Sequence, residues 1–477
     1  MHQLSTRPRK KTKIIATISN DRCSPEFLKG LWLAGMDVVR MNTAHQTPEQ
    51  AIEVISNIRA VSDRIAIMVD TKGPEIRTMP TREEIRVKAG DIISVRGSTE
   101  EYSCREYVYV TYDGLVGDVK VNDRLLIDDG DVELQVTQKD DTTLTCKVMN
   151  NGAIKGQKGV NIPSAKIHLP SLSAKDEKFL RFAADQDLDF IAHSFVRNKH
   201  DVLAVQNILD EKNSHIKIIA KIENQEGVDN LDEILDHAYA VMVARGDLAI
   251  EIPAERIPLI QKKIVRKCIE RRKPVIIATQ MLQPMINSPR PTRAEVSDVD
   301  NACLDGTDAI MLSGETAVGQ YPLEAVQVMT RVAMEIESVH NSFINIPYEE
   351  DNSVTSYLAK AAVKASMRLH TEALVADTIS GKTILSLAAY RCKSPIYAQC
   401  YRYRTVRELA RSYGVCAHYI KEDLSHHEFL QTALSRLVGE GRFSEESLIT
   451  VLAGHFGSEC GATYIEISSA KNMLERK

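Results

Sequence analysis

The sequence predicts an α/β protein: a closed (β/α)8 barrel, a small β lid domain inserted into it, and an open-sheet α/β domain after it. Three observations carry this. Eight short apolar runs, each followed by helical apolar spacing, recur from residue 13 to about residue 340. About a hundred residues between the third run and its helix instead alternate apolar and polar positions between Gly, Asp and Asn turns. Beyond a polar stretch, SFINIPYEEDNSV, strand-and-helix alternation resumes on a smaller scale.

The eight runs are KIIATI (13–18), DVVRMN (37–42), IAIMVDT (65–71), LDFIAHSF (188–195), IKIIAKIE (216–223), YAVMVAR (239–245), PVIIATQ (274–280) and TDAIMLS (307–313). Near-continuous apolar strands are what a parallel sheet covered on both faces requires, and eight equal strand–helix units favour closure into a TIM barrel over an open, doubly wound sheet. Pro48 to Val61 and Ile257 to Arg271 show the helical spacing most clearly. The lid contains YVYVTY, LLIDD, VELQVTQ and TLTCKVM. It enters at a strand-to-helix loop, on the face where barrel enzymes work, and suits a β-barrel lid that closes over a site. The expected domains are 1–72 plus 169–345 for the barrel, 73–168 for the lid and 352–477 for the C-terminal α/β domain. The last begins with a helix reaching His370, followed by strands ALVADT, PIYAQC, GVCAHYI, LITVLAG and ATYIEIS.

Composition narrows the class. The chain has 477 residues, 43% of them hydrophobic and 26% charged, with a formal net charge of −5. That describes a soluble globular protein with mixed charge, and points away from nucleic acid as a partner. The basic run RPRKKTK (Arg7 to Lys13) reads as a solvated tail leading into the first strand. No segment has the length or apolarity of a membrane span, and the start lacks the apolar core of a signal peptide. Nine cysteines occur singly, without CxxC pairs, as expected of reduced thiols in a cytoplasmic protein.

The chemistry collects at the strand exits. Lys221 and Glu223 stand two residues apart, so the strand's period of two puts both on one face. The second strand ends at Arg40 and Asn42, with His45 following; the third ends with Asp70, Lys72, Glu75 and Arg77; the sixth leads to Asp247; and the seventh ends with Thr279. Two carboxylates on adjacent strands, Glu223 and Asp247, suit a hard cation with oxygen ligands, magnesium best, because it completes its octahedron with substrate oxygens and water. Arg40, Arg77 and Lys221 around such an ion indicate a phosphate or carboxylate substrate. The plain alternative is a set of rim ion pairs with no ligand. No Walker-type phosphate loop and no G-x-G-x-x-G after a first strand is present.

The segments KIENQEGVDNLDEIL, MVARGDLAIEIP, ATQMLQPMINSPRPTRAEVSDVDNACLDGTDAIMLSGETA and DTKGPEIRT closely resemble pyruvate kinases, and the resemblance runs through barrel, lid and C-terminal domain. It implies an enzyme that moves phosphoryl from phosphoenolpyruvate to ADP, giving pyruvate and ATP. In that family's pattern, Glu223 and Asp247 match magnesium ligands, and Lys221 the residue meeting the transferring phosphoryl group and the enolate. Gly246, Asp247 and Thr279 match positions holding the substrate carboxylate, with Thr279 also on the enolate's proton route. Arg40 matches the phosphate arginine, while His45, Arg77 and Lys175 match nucleotide-side residues. Asn42, Asp70 and Thr71 match three ligands of a monovalent cation, usually potassium.

The fourth cation ligand is missing. The usual R-x-N-F-S-H-G reads Arg40-Met41-Asn42-Thr43-Ala44-His45-Gln46 here, so Ala44 replaces a serine hydroxyl. Glu75 is nevertheless what potassium-dependent members carry. Ser19-Asn20-Asp21-Arg22 departs from the family's Gly-Pro-Ala-Ser near the nucleotide base, and Ala249 and Val296 stand where glycines are frequent.

In the C-terminal domain, Thr378, Ser380, Gly381, Lys382 and Thr383 in DTISGKTI either cradle a phosphate or merely cap a helix. The resemblance favours a sugar-phosphate effector there, although Gly454, Gly457 and Gly461 are less regular than the family's glycine pattern. It also implies a homotetramer. Two other readings of the whole chain are a magnesium-dependent barrel lyase or aldolase of keto acids and a catalytically silent metabolite-binding homologue. The lid and Lys221 count against the lyase. The presence of Lys221, Glu223, Asp247 and Thr279 counts against silence.

Overall fold

The computed structural model describes residues 7–163, 165–339, 343–346, 353–421, 426–454 and 461–475. Most of the linker expected at 342–354, and Gly457, lie outside the described residues.

Eight parallel strands close into a barrel in chain order: β1 (Lys13–Thr17), β2 (Val38–Asn42), β3 (Ala66–Asp70), β4 (Phe190–His193), β5 (Lys217–Ile222), β6 (Ala240–Ala244), β7 (Val275–Ala278) and β8 (Ala309–Leu312). Each lies inside its apolar run. One set of side chains, including Ile15, Met68, Phe190, Ile219, Met242 and Met311, fills the interior, and the alternate set packs under the helices. Helix starts carry their own signals: Thr47 with Gln50, Ser173 with Asp176 and Thr292 with Glu295 each form a reciprocal capping box.

The lid strands run from Ile76–Arg77 to Gly159–Asn161 and form a seven-stranded sheet and a two-stranded pair. Their alternate residues, among them Val95, Val108, Leu125, Leu134 and Leu144, make a buried cluster of their own. Where the chain leaves β3 for the lid, the buried Asp176 carboxylate accepts from Lys72 N at 3.0 Å while its other oxygen accepts from Ser173 N at 3.0 Å. One side chain thus ties together the exit and return strands of the insertion. Gly73 sits at φ 71°, and a Cβ there would lie 2.8 Å from Ser194 Cβ, so only glycine fits this exit.

In the C-terminal domain, β9 (Ala373–Thr378), β10 (Ile396–Cys400), β11 (Val415–Tyr419), β12 (Leu448–Gly454) and β13 (Ala462–Ser469) order as β11-β10-β9-β12-β13. The last strand is antiparallel to β12 and the others are parallel. This domain is pressed against the N-terminal ends of the barrel strands. Arg391 reaches Asp308 at 2.6 Å, Arg407 reaches Asp189 at 2.6 Å, and Lys13 Nζ donates to Val415 O at 2.7 Å. Arg411, fully buried, lies between the rings of Phe190 and Tyr239, 4.3 Å from each centroid.

Candidate active site

Lys221, at the end of β5, is 7% exposed. Its ammonium donates to Ser194 Oγ at 2.7 Å and Asp70 Oδ1 at 3.1 Å, and lies 3.0 Å from Glu223 Oε1. The ammonium and the carboxylate do share a face. Burial works against the charge on Lys221, but the Asp70 and Glu223 carboxylates outweigh it and carry its pKa above the ordinary lysine range.

Asp70 ends β3 on the other side of this lysine. Arg40 of β2 donates from Nε to Asp70 Oδ2 at 2.5 Å and from Nη1 to Thr17 Oγ1 at 3.0 Å. Burial alone would raise the Asp70 pKa; Arg40 and Lys221 together bring it below the usual carboxylate range. Glu223 goes the other way. Burial pushes its pKa up, Asp247 and Asp70 add to that, and the opposing pull of Lys221 and the Phe195 N–H, which donates to Oε2 at 2.6 Å, falls short. Three carboxylates, Asp70, Glu223 and Asp247, therefore face two cations, Arg40 and Lys221, an imbalance that a divalent cation would correct. No group of three or more His, Cys, Asp and Glu residues is placed to hold a metal alone among the described residues. A carboxylate pair that leaves the remaining positions to substrate and water fits magnesium.

Gly246 and Thr279 meet directly: Gly246 N donates to Thr279 Oγ1 at 2.7 Å, and that hydroxyl donates to Ala278 O at 2.6 Å. Thr279 has φ 67°, a left-handed conformation costly for a β-branched residue, and Gln280 follows at φ 54°. Arg245, buried, holds the bend by donating to Thr279 O at 3.0 Å while pairing with Asp298 at 2.6 Å. Asp247 follows in the short helix Arg245–Glu251 and lines a cleft of about 520 Å³ between lid and barrel.

The residues expected on the nucleotide side are more dispersed. Lys175 Nζ donates to Ala44 O at 3.3 Å, next to the exposed His45. Arg77 lies on the first lid strand, donating to Glu75 at 2.6 and 2.9 Å and to Gln157 O at 2.6 Å. Around the expected monovalent site, Asn42 Oδ1 accepts from Ala44 N at 3.1 Å, and Thr71 O accepts from Ser194 Oγ at 2.6 Å. The Thr43 hydroxyl beside Ala44 is turned to Asp70 O at 3.0 Å, so it does not replace the missing serine. In the C-terminal loop, Thr378 ends β9 and its hydroxyl accepts from Gly381 N at 2.8 Å; Gly381 has φ 83° and precedes the helix Lys382–Ala389. Ser380 and Lys382 are exposed there, whereas Thr378 and Thr383 are buried.

Sequence reasoning missed Ser194, Arg245 and Phe195, whose positive φ of 55° aims its N–H at Glu223. The only available signal for Ser194 was its place at the exit of the fourth strand.

Residues 9–326 match the family model of the pyruvate kinase barrel domain, and residues 356–467 that of the pyruvate kinase alpha/beta domain. A pyruvate kinase from Borreliella burgdorferi is 44% identical over 475 residues, 98% of either chain. One from Bacillus licheniformis is 43% identical over 95% of this chain and 79% of its own. The crystal structure of a pyruvate kinase from Cryptosporidium parvum superposes with a TM-score of 0.91 at 35% identity, covering 97% of this chain and 96% of that one. The chain belongs to the pyruvate kinase family.

Proposed function

We propose that this enzyme transfers the phosphoryl group of phosphoenolpyruvate to ADP, and that the cluster around Lys221 is where it does so. The observation that carries the assignment is the buried Lys221 ammonium, held within 3.1 Å of Ser194, Asp70 and Glu223. Glu223 and Asp247 would hold magnesium, which when bound supplies charge neutralisation for the phosphoryl oxygens and the enolate oxygen. Lys221 meets the phosphoryl oxygens in transfer, and Arg40 orients the phosphate from the β2 side. Gly246, Asp247 and Thr279 receive the carboxylate end, and the Thr279 hydroxyl lies on the path by which the enolate gains its proton. Positioning and electrostatic stabilisation then supply most of the rate. His45, Arg77 and Lys175 take the nucleotide phosphates, with Arg77 brought in by the lid.

Potassium would bind through Asn42, Asp70 and Thr71, with water or a backbone oxygen in place of the missing hydroxyl at Ala44. The domain limits 1–72 plus 169–345, 73–168 and 352–477 are supported by the separate buried cluster of the lid. A sugar phosphate at Thr378 to Thr383 is supported by the outward Ser380 and Lys382. Among the described residues no helix is long and apolar enough to cross a membrane. A cytoplasmic setting suits the free cysteines, and a homotetramer suits the exposed Val354 and Tyr357 on one helix face.

The deciding experiment is pyruvate formation from phosphoenolpyruvate and ADP with magnesium, with and without potassium. Activity that rises with potassium supports both sites. Activity indifferent to potassium retains the transfer and removes the monovalent ligands. A folded protein inactive in both buffers, across a range of nucleotides and effectors, would be a silent homologue.

A further inference from the structure

The C-terminal sheet has two edges, and one of them is β11 (Val415–Tyr419). Pairing with β10 alone leaves half of its backbone groups turned away from the sheet. Gly414 O accepts from Ile396 N at 3.0 Å and Ile420 N donates to Cys400 O at 2.9 Å, so the even-numbered residues face β10. Val415, Ala417 and Tyr419 therefore turn their N–H and C=O groups outward.

Such an edge is a template for another strand, and the sequence of this one does little to prevent it. Val415 to Ile420, VCAHYI, holds β-branched and aromatic residues and no proline, lysine, arginine, aspartate or glutamate. A short window of that composition pairs readily with a copy of itself when it is open to solvent. Edges are commonly blunted by a charge or a proline within the strand. Here the charges come from elsewhere in the chain.

All three outward carbonyls are taken by cations. Lys13 Nζ donates to Val415 O at 2.7 Å, Arg64 Nη2 to Ala417 O at 2.9 Å and Arg436 Nη1 to Tyr419 O at 2.8 Å. The donors stand at the start of β1, in the turn before β3 and near the end of the helix His426–Gly439. Their separations from the acceptors are 402, 353 and 17 residues, so no local turn accounts for the row. Arg64 and Arg436 are exposed. Each lays its guanidinium on an acceptor that the N–H groups of an incoming strand would need. Two such edges brought together would also set like charges against each other.

We propose that Lys13, Arg64 and Arg436 form a cap on this edge, withholding it from the partner it fits best, β11 of a second copy of this chain. Pairing about a two-fold axis would be antiparallel and self-complementary, and would join assemblies edge to edge. Lys13 and Arg64 belong to the barrel, so the cap is complete only once the C-terminal domain has docked there. The inference is independent of the catalytic reading.

Analytical ultracentrifugation of the full chain tests it. Arg64→Ala/Arg436→Ala should keep native circular dichroism and raise the weight-average mass at least about twofold over the native protein at equal concentration. Arg64→Lys/Arg436→Lys returns a cation to each carbonyl and should keep the native mass. Arg86→Ala/Arg124→Ala, which removes two exposed arginines from the lid strands, should keep it too. Hydrogen exchange locates the contact: the amides of 415–420 should exchange more slowly in the enlarged species than in the native protein. If the double alanine variant loses its native dichroism, Arg436→Ala alone carries the test with the same outcomes. An alanine variant of unchanged mass overturns the proposal. Growth that leaves exchange at 415–420 unchanged also overturns it, as does equal growth in the lysine pair or the lid pair.

Discussion

Lys221 is a cation kept charged in a buried place by carboxylates it does not fully neutralise. Replacing it with methionine keeps the length and removes the charge. Lys221→Met is expected to lower turnover by about a thousandfold, the scale of losing a key electrostatic group, while calorimetry still detects magnesium binding. Near-normal turnover would remove the role assigned to it. Ser194→Ala deletes the hydroxyl that fixes the ammonium at 2.7 Å. It is expected to lower kcat by about tenfold with little change in magnesium affinity. The pairing of Lys221 with Glu223 was legible because a strand's period of two is rigid. Ser194 was not, because its contact spans 27 residues and depends on which strands become neighbours. The left-handed turn at Thr279 was hidden too, since a threonine gives no local sign of positive φ.

At the scale of elements, strands buried on both faces announced themselves as apolar runs, and their ends fell within two residues of expectation. Of the nine lid strands, four were readable by alternation, in YVYVTY, LLIDD, VELQVTQ and TLTCKVM; the others, such as Ile85–Val87 and Gly152–Ile154, are mostly too short to show a period. Charged residues on the barrel floor were not: Arg391, Arg407 and Arg411 look like surface residues until the C-terminal domain is placed. Arg391 and Asp308 are both nearly fully buried, so removing one strands the other. Arg391→Ala is expected to cost about 3–5 kcal/mol in urea unfolding, and Arg391→Met less, since it restores apolar packing. On β4, burial pulls His193 down from 6.5 to about 4. The unfolded chain therefore takes up this proton more readily than the folded one. The stabilisation is complete above about pH 6.5 and disappears as pH falls through 4. Unfolding free energies from urea titrations between pH 7.5 and 4.5 should decline accordingly, by up to about 3 kcal/mol from this group, with a shallower slope in His193→Gln.

For the whole molecule, the distribution of cores decides which parts are separable. The lid has a buried cluster of its own. The barrel helices and one face of the C-terminal sheet share a single cluster that includes Leu312, Ala362, Leu374 and Leu387. Replacing 74–168 by a short linker is expected to leave a folded protein, judged by cooperative thermal melting, with phosphoryl transfer reduced to a trace. Ending the chain before residue 353 exposes the barrel floor and is expected to give aggregated protein. The same contrast bears on how such a chain changes over generations. A substitution at Asp189 or Asp308 requires an answering one at Arg407 or Arg391, more than eighty positions away in sequence. Barrel and C-terminal domain are therefore bound to drift together, as one unit of inheritance, while the lid is free to vary, shrink or be exchanged by its own rules.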